Sequence, residues 1–134
     1  MKKYLFIIAS ILILTALIFV MFLPDKTNIE DGKTVTLICN IEDMDVNTEL
    51  SAEHSKIITE IFNNKALYDE NPPLCPCNKN FSFKIGKKTF CIAVDGCPTI
   101  YIDEKSSYFY LTEEENEIIN DILMEYGVNR DVLF

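Results

Sequence analysis

The sequence predicts an α+β protein: an N-terminal transmembrane helix, then an antiparallel sheet of four to five strands and two helices, in the order β-α-ββββ-α. Three observations support this fold class. An uncharged apolar run opens the chain, five later segments alternate apolar and polar residues, and two segments carry apolar residues at i, i+3 and i+4. The chain has 134 residues, and the part after the apolar run has the length of one domain.

The apolar run, residues 4–23, contains no charge. A helix of this length spans the roughly 30 Å hydrocarbon core of a bilayer, so we expect these residues to contact lipid in a cell membrane. Lys2 and Lys3 precede the run and Asp25 follows it. The positive-inside rule then predicts a single-pass protein with a cytoplasmic N-terminus and an extracytoplasmic C-terminal domain. Because the run is longer than the apolar part of a signal peptide and no small-residue cleavage site follows, an uncleaved signal-anchor at 1–24 is favoured over a cleaved signal peptide.

The segment after the anchor is polar and rich in turn-forming residues. Residues 25–33 therefore predict a short stalk between the membrane and a domain that occupies residues 34–134. The domain begins with residues 34–41, whose alternation predicts a half-buried strand. The acidic residues 42–49 that follow are expected to form a loop.

Two helices are predicted, each with a recognisable N-terminus. Ser51 is the expected N-cap of a helix from residue 52 to about residue 64, whose apolar stripe consists of Ile57, Ile58, Ile61 and Phe62. Residues 112–115, Thr-Glu-Glu-Glu, form a capping box that opens a second helix ending near Tyr126. Gly127 is the expected residue just beyond its C-terminus.

Four further strands form two predicted hairpins. Residues 81–85 and 90–94 alternate around a turn that contains Gly86. Residues 99–103 and 108–111 alternate around a polar turn at 104–107. The residues between the first helix and these hairpins, 65–80, are expected to form a loop that carries Cys75-Pro-Cys77.

Strand parity in the second hairpin predicts a tyrosine face. Side chains alternate between the two faces of a sheet, so Ile100 and Ile102 would lie on one face and three tyrosines on the other, namely Tyr101, Tyr108 and Tyr110. Two helices can cover one face of such a sheet and leave the second in water. Since tyrosine is enriched at protein interfaces, these three are our candidates for a binding face. Cross-strand pairing that only supports the sheet is the alternative.

The domain contains five cysteines. In an extracytoplasmic domain disulfides are favoured over metal sites, and the odd number leaves at most two bridges. One intervening residue disfavours a bond between Cys75 and Cys77, so we expect these two to pair with Cys91 and Cys97, in either combination, and Cys39 to remain a buried thiol. The alternatives are a metal site at Cys75, Cys77 and Cys97, or a redox role for Cys-Pro-Cys; both depart from the usual spacing.

Charge and residue content exclude several classes of function. The first 24 residues hold two lysines and no acidic residue, so residues 25–134 carry 21 acidic and 10 basic side chains, a net charge of −11. This charge argues against nucleic-acid binding. The domain has one histidine, His54, no nucleophile motif and no glycine-rich phosphate loop, so we expect neither an enzyme nor a cofactor. A non-catalytic protein-binding module of inhibitor, immunity or assembly type remains, and its charge favours a basic envelope or secreted partner.

The C-terminal part of the chain carries a pattern of cysteines and aromatic residues. It reads CPCNKNFSFKIGKKTFCIAVDGCPTIYIDEKSSYFYLTEEENEIINDIL, in which the pattern rests on Cys75, Cys77, Phe83, Cys97 and Leu111. This pattern resembles a family of small exported or membrane-anchored bacterial proteins of unknown function. The resemblance covers residues 50–126 and implies a cysteine-containing loop before an aromatic hairpin and a closing helix, without implying an activity.

Overall fold

A computed structural model of the chain describes residues 2–102 and 107–133. It has the predicted α+β class, with an apolar N-terminal helix and an antiparallel sheet. The elements in chain order are α1 (Lys2–Met21), β1 (Val35–Ile41), β2 (Met44–Glu49), α2 (Ala52–Phe62), β3 (Cys77–Ile85), β4 (Lys88–Ala93), β5 (Thr99–Ile102), β6 (Ser107–Tyr110), α3 (Glu113–Glu125) and a short 3₁₀ turn (Arg130–Val132).

Helix α1 has the length and composition needed to cross a membrane over Lys3–Met21. Its apolar side chains, from Tyr4 to Met21, are exposed rather than packed against the domain. An exposed apolar helix of twenty residues is stable in a bilayer and unfavourable in water. The predicted apolar N-terminal helix is therefore confirmed.

The sheet contains six strands in the order β2-β1-β3-β4-β5-β6, and all neighbours are antiparallel. The prediction of four to five strands in the order β-α-ββββ-α is corrected here to β-β-α-ββββ-α. The difference is β2, for which the acidic composition predicts a loop. Its residues alternate between half-buried Met44 and Val46 and exposed Asp45 and Asn47, and the acidic outer face protects this edge from pairing with other chains.

The core lies between one face of the sheet and helices α2 and α3. Phe62, at the end of α2, is fully buried at its centre. Its ring centroid lies 5.9, 5.2 and 5.4 Å from the rings of Phe83, Phe90 and Phe109. Aromatic pairs at these spacings add to the stabilisation that comes from burial. One side chain thus joins α2 to three different strands.

Both predicted helix N-termini are confirmed. The hydroxyl of Ser51 accepts a hydrogen bond from the backbone N–H of His54 at 3.1 Å. At α3, Thr112 and Glu115 form the reciprocal capping box. Gly127 follows α3 with a φ of +80°, a conformation that glycine adopts without strain.

The predicted stalk is largely part of the folded domain. The backbone N–H of Thr27 donates to the carbonyl of Lys65 at 2.8 Å, and the N–H of Leu67 donates to the carbonyl of Asp25 at 2.7 Å. Ile29 is buried in the core. Residues 25–33, for which the sequence predicts a short stalk, therefore have hydrogen-bond partners and an apolar anchor in the domain.

The two predicted hairpins are present. Strands β3 and β4 pair with Phe83 opposite Phe90, and Gly86 in their turn has a φ of +59°. Strands β5 and β6 pair with Tyr101 opposite Tyr108. The predicted polar turn at 104–107 lies mostly outside the described residues, and Ser107 is the first residue of β6.

The ion pair between Lys65 and Glu115 should make stability depend on pH. Lys65 Nζ lies 2.6 Å from each carboxylate oxygen. Burial raises the pKa of Glu115, but hydrogen bonds from Lys65 and Thr112 outweigh it, and the net pKa lies below its ordinary value. A lowered carboxyl pKa stabilises the fold above the unfolded-state pKa, and this contribution is lost as pH falls through the folded-state pKa.

Replacing Glu115 with glutamine should therefore remove about 2 kcal/mol at pH 7 and less at pH 3, because the carboxyl group gains a proton as the pH falls through its lowered pKa. The measurement is urea unfolding of the full chain in detergent micelles at both pH values. Glu114→Gln, an exposed residue of the same helical turn, is the control. Equal losses for Glu115→Gln at the two pH values would contradict the prediction.

Candidate functional site

Four tyrosine rings cluster on the sheet face opposite α2 and α3. Tyr101, Tyr108 and Tyr110 come from β5 and β6, and their neighbours Ile100 and Phe109 point into the core on the other face. The ring of Tyr108 lies 5.8 Å from Tyr101 and 5.5 Å from Tyr110. The structure thus brings together the three tyrosines that strand parity placed on one face.

The fourth ring belongs to a segment for which the sequence predicts only a loop. Tyr68 exchanges two backbone hydrogen bonds with Tyr108, at 2.9 and 2.8 Å. This pairing places the Tyr68 ring 5.7 Å from both Tyr108 and Tyr110. The chain then crosses the tyrosine face as residues 69–76, which we call the covering loop.

Two tyrosine hydroxyl groups hold the covering loop. The hydroxyl of Tyr101 donates to the carbonyl of Pro73 at 2.6 Å. The hydroxyl of Tyr108 lies 2.8 Å from the carbonyl of Glu70 and 3.2 Å from that of Asn71. Desolvation raises the pKa of both tyrosines, so each keeps the proton that it donates. These bonds fix the path of the loop over the sheet.

The covering loop changes which tyrosines water can reach. Tyr108 is only 3% exposed, whereas Tyr110 is 48% exposed, and Tyr68 is exposed as well. The expectation of an open face with three accessible tyrosines is therefore corrected. Tyr101 and Tyr108 support the loop, because its carbonyl groups cap their hydroxyls. Tyr110 remains an accessible candidate.

A disulfide ties the end of the covering loop to the sheet. Cys75 and Cys97 are bonded, with their Cα atoms 6.2 Å apart. Cys97 lies in the turn between β4 and β5, so the bond joins the loop to the end of the sheet that is opposite the Gly86 turn. This is one of the pairings that the sequence left open.

The other cysteines occupy different environments. Cys77 is exposed at the start of β3, and Cys91 is buried in β4. Cys39 is a buried free thiol in β1, and desolvation raises its pKa. The raised pKa keeps Cys39 protonated and unreactive at neutral pH. The sequence predicts that Cys75 and Cys77 both form disulfides, with Cys91 and Cys97 as their partners. The Cys75–Cys97 bond is present, and the second bond stays a prediction.

The covering loop presents an apolar side chain to water. Leu74 is fully exposed, and it stands between Pro73 and the disulfide residue Cys75. Proline restricts the loop backbone, and the disulfide and the tyrosine hydroxyls restrict it further. A loop that is ordered before binding loses less conformational entropy on binding. Leu74 is therefore displayed in a fixed position.

Arg130 stabilises the end of the sheet that carries Cys97. The sequence analysis did not identify this residue. It is 6% exposed, and its Nη1 donates to the side-chain oxygens of Asn116 and Asn120 at 3.0 and 2.8 Å. Its Nη2 donates to the carbonyl of Ala93 at 2.7 Å. Burial lowers the pKa of Arg130, although Asp95 and Asp131 oppose the change. Arg130 thus links α3 to β4, next to the turn that carries Cys97.

Two other groups of residues could carry chemistry, the cluster of Cys75, Asp95 and Cys97 and the single histidine, His54, and each makes contacts that stabilise the fold. The side-chain atoms of Cys75, Asp95 and Cys97 lie within 4.8 Å of one another, but the two sulfur atoms are bonded to each other and are not thiolate ligands in this state. His54 lies 3.2 Å from the hydroxyl of Tyr126 and 3.6 Å from Glu125, so it joins α2 to α3.

Single substitutions should distinguish a tyrosine that supports the covering loop, Tyr108, from a tyrosine that is exposed to solvent, Tyr110. Tyr108→Ser removes a buried ring and the hydroxyl that holds the loop, and we expect it to lower Tm by more than about 10 °C. Tyr110→Ser, on an exposed ring of the same strand, should change Tm by less than about 3 °C. Thermal unfolding of the full chain in micelles measures both. Similar losses for the two variants would place both rings in the core.

Comparison with known proteins yielded no matching protein-family model, no matching curated protein and no matching solved structure.

Proposed function

We propose that this protein is a membrane-anchored, extracytoplasmic domain that binds another protein at the bacterial cell envelope. The binding surface is the exposed side of the covering loop together with Tyr68 and Tyr110. The role is non-catalytic, of inhibitor, immunity or assembly type. Helix α1 crosses the membrane once, with Lys2 and Lys3 on the cytoplasmic side.

One observation carries the proposal: Leu74 is fully exposed on a loop that a disulfide and two tyrosine hydroxyls hold in place. An apolar side chain at the tip of an ordered loop can fill a pocket in a partner. The exposed rings of Tyr68 and Tyr110 add residue types that are enriched at interfaces.

Charge supports a basic partner. Asp69 and Glu70 precede Leu74 and are exposed, and residues 25–134 carry a net charge of −11. A basic protein would be attracted to this surface at low ionic strength. Because α1 and the domain are joined without a long stalk, the domain stays close to the membrane and meets envelope partners at a high effective concentration.

The test is affinity capture of partners by the tagged full-length protein from solubilised membranes of the producing cells. Leu74→Ser should reduce the captured partner at least tenfold. Met124→Ser is the matched control, since Met124 is also an exposed apolar residue but lies on α3, across the sheet from the covering loop. Equal capture by the two variants would contradict a role for Leu74.

A second candidate is a thiol-redox or Cys-coordinated metal function, favoured by the proximity of Cys75, Asp95 and Cys97. After reduction this site would offer two thiolates and a carboxylate, a donor set that suits Zn²⁺. Native mass spectrometry of the reduced full chain with Zn²⁺ tests this candidate. A bound ion that is lost in Asp95→Asn would support it, and the absence of binding would favour the binding module.

A further inference from the structure

Lysines collect at the end of the sheet where the chain leaves the apolar helix. The turn between β3 and β4 carries Lys87 and Lys88, with Lys84 three residues earlier on β3. Lys33, Lys87 and Lys88 line one groove, and Lys26 and Lys88 line the groove beside it. Half of the ten basic residues of an acidic domain therefore lie at one end.

The structure ties this turn to the residues that follow the apolar helix. Lys88 Nζ donates to the carbonyl of Asn28 at 3.0 Å. Asn28 is five residues beyond Leu23, the last residue of the apolar run, and five residues span at most about 18 Å. The headgroup region extends roughly 5–8 Å beyond the hydrocarbon core, and screening in physiological salt acts over about 8 Å. Because about 18 Å is the upper limit for a fully extended segment, the lysine side chains of the turn can reach the headgroup region.

The charges around these lysines leave two of them available. Glu30 lies beside the group but pairs with Lys33 at 2.9 Å. Within residues 2–102 and 107–133, neither Lys84 nor Lys87 has an ion-pair partner, although the domain has twice as many acidic as basic residues. Both side chains are exposed. They can therefore contact an external anion.

We propose that the turn between β3 and β4 rests on anionic phospholipid headgroups of the membrane that holds α1, through Lys84 and Lys87, while Lys88 holds the turn against the residues that follow α1. This inference relies on the membrane anchoring in the proposed function. The contact fixes the orientation of the domain as well as its distance from the membrane. Cys97 lies at the opposite end of β4 from Gly86, so the contact directs the Cys75–Cys97 end of the covering loop, and Leu74 with it, away from the lipid.

The test reads lysine accessibility in the full-length protein reconstituted into vesicles. One set contains phosphatidylcholine alone, and the other contains about 30 mol% phosphatidylglycerol. A water-soluble amine acetylating reagent is added outside, and the rate at each lysine is followed by mass spectrometry. Lys79 is the internal reference, because it is exposed on the same strand as Lys84 but at the opposite end.

We expect acetylation of Lys84 and Lys87, relative to Lys79, to be about fivefold slower in the anionic vesicles. About 0.5 M NaCl should remove the difference, because screening shortens to a few ångströms. Inorganic phosphate added to neutral vesicles should not protect these lysines; protection by phosphate would assign the site to a soluble anion instead. The same ratio of rates in both vesicle types would overturn the proposal.

Two variants test the contact directly. Lys87→Glu should abolish the protection of Lys84 in anionic vesicles, whereas Lys79→Glu, with the same change of charge, should preserve it. Flotation of the vesicles after carbonate washing is measured in parallel. Protein that does not float with the vesicles would contradict the membrane anchoring, and protein that floats but shows no difference between vesicle types would contradict the lysine contact alone.

Discussion

Replacing Phe62 with alanine is expected to lower the free energy of unfolding by about 3–5 kcal/mol. The ring of Phe62 contacts three other phenylalanine rings in the core, at centroid distances between 5.2 and 5.9 Å. Its loss would leave a cavity bounded by α2 and three strands, which the surrounding backbone cannot close. Since small domains are stable by only about 5–15 kcal/mol, this single change should bring the domain close to unfolding.

The measurement is urea unfolding of the full chain in micelles, followed by near-ultraviolet circular dichroism of the tyrosines. Phe62→Leu keeps most of the volume and should cost less than half as much. Tyr110→Ala removes an exposed ring of similar size and should cost under about 1 kcal/mol. A loss below about 1.5 kcal/mol for Phe62→Ala would mean that this position is not at the centre of the core.

Reduction of the Cys75–Cys97 bond is the second large effect that we expect. The bond closes a segment with a sequence separation of 22 residues, and the chain-entropy account assigns about 3 kcal/mol to a loop of this size. Reduction should also release the covering loop, so that Leu74 is no longer held in place. Stability and binding would then fall together.

The comparison is between urea midpoints with and without dithiothreitol. In the double variant Cys75→Ala/Cys97→Ala the midpoint should already be low, and dithiothreitol should lower it further only if the second predicted disulfide is present. A remaining effect of dithiothreitol in that variant would reveal a second bridge at Cys77 and Cys91. Equal stability of oxidised and reduced wild-type protein would contradict a structural role for the bond.

Local signals in the sequence predicted the elements whose patterns are self-contained. The capping box at Thr112 and Glu115, the N-cap at Ser51 and the glycine turn at Gly86 each specify a conformation over a few residues. The apolar stripes and strand alternation predicted the correct faces, which is why the three tyrosines of β5 and β6 were placed together. The long apolar run predicted α1 from its length alone.

Features that depend on distant partners could not be predicted in the same way. Strand β2 has the alternation of a strand, but its acidic residues are also typical of a loop, and pairing with β1 decided the outcome. The covering loop contains prolines and an exposed leucine, and the only signal for its position was Cys75. Its path is set by the hydroxyls of Tyr101 and Tyr108, whose sequence separations from the loop exceed 25 residues.

In the candidate site, too, local sequence patterns predicted some features, whereas features that depend on distant partners were missed. Parity identified Tyr110 as an accessible residue, but it could not show that the covering loop buries Tyr108. Leu74 was missed because a single leucine in a polar segment is more often buried than displayed. Arg130 was missed because its partners lie on α3 and β4, which only tertiary folding brings together. Sequence therefore predicted the scaffold of the site better than its exposed surface.

Site-specific photo-crosslinking from position 74 tests the central claim most directly. A photoreactive amino acid is placed at position 74 of the full-length protein in the producing cells, and at position 124 in the control. We expect light to produce a discrete adduct with one envelope or secreted protein from position 74, reduced at least tenfold by the Cys75→Ala/Cys97→Ala change and absent from position 124. No adduct from position 74, or the same adducts from both positions, would contradict a protein-binding role for the covering loop.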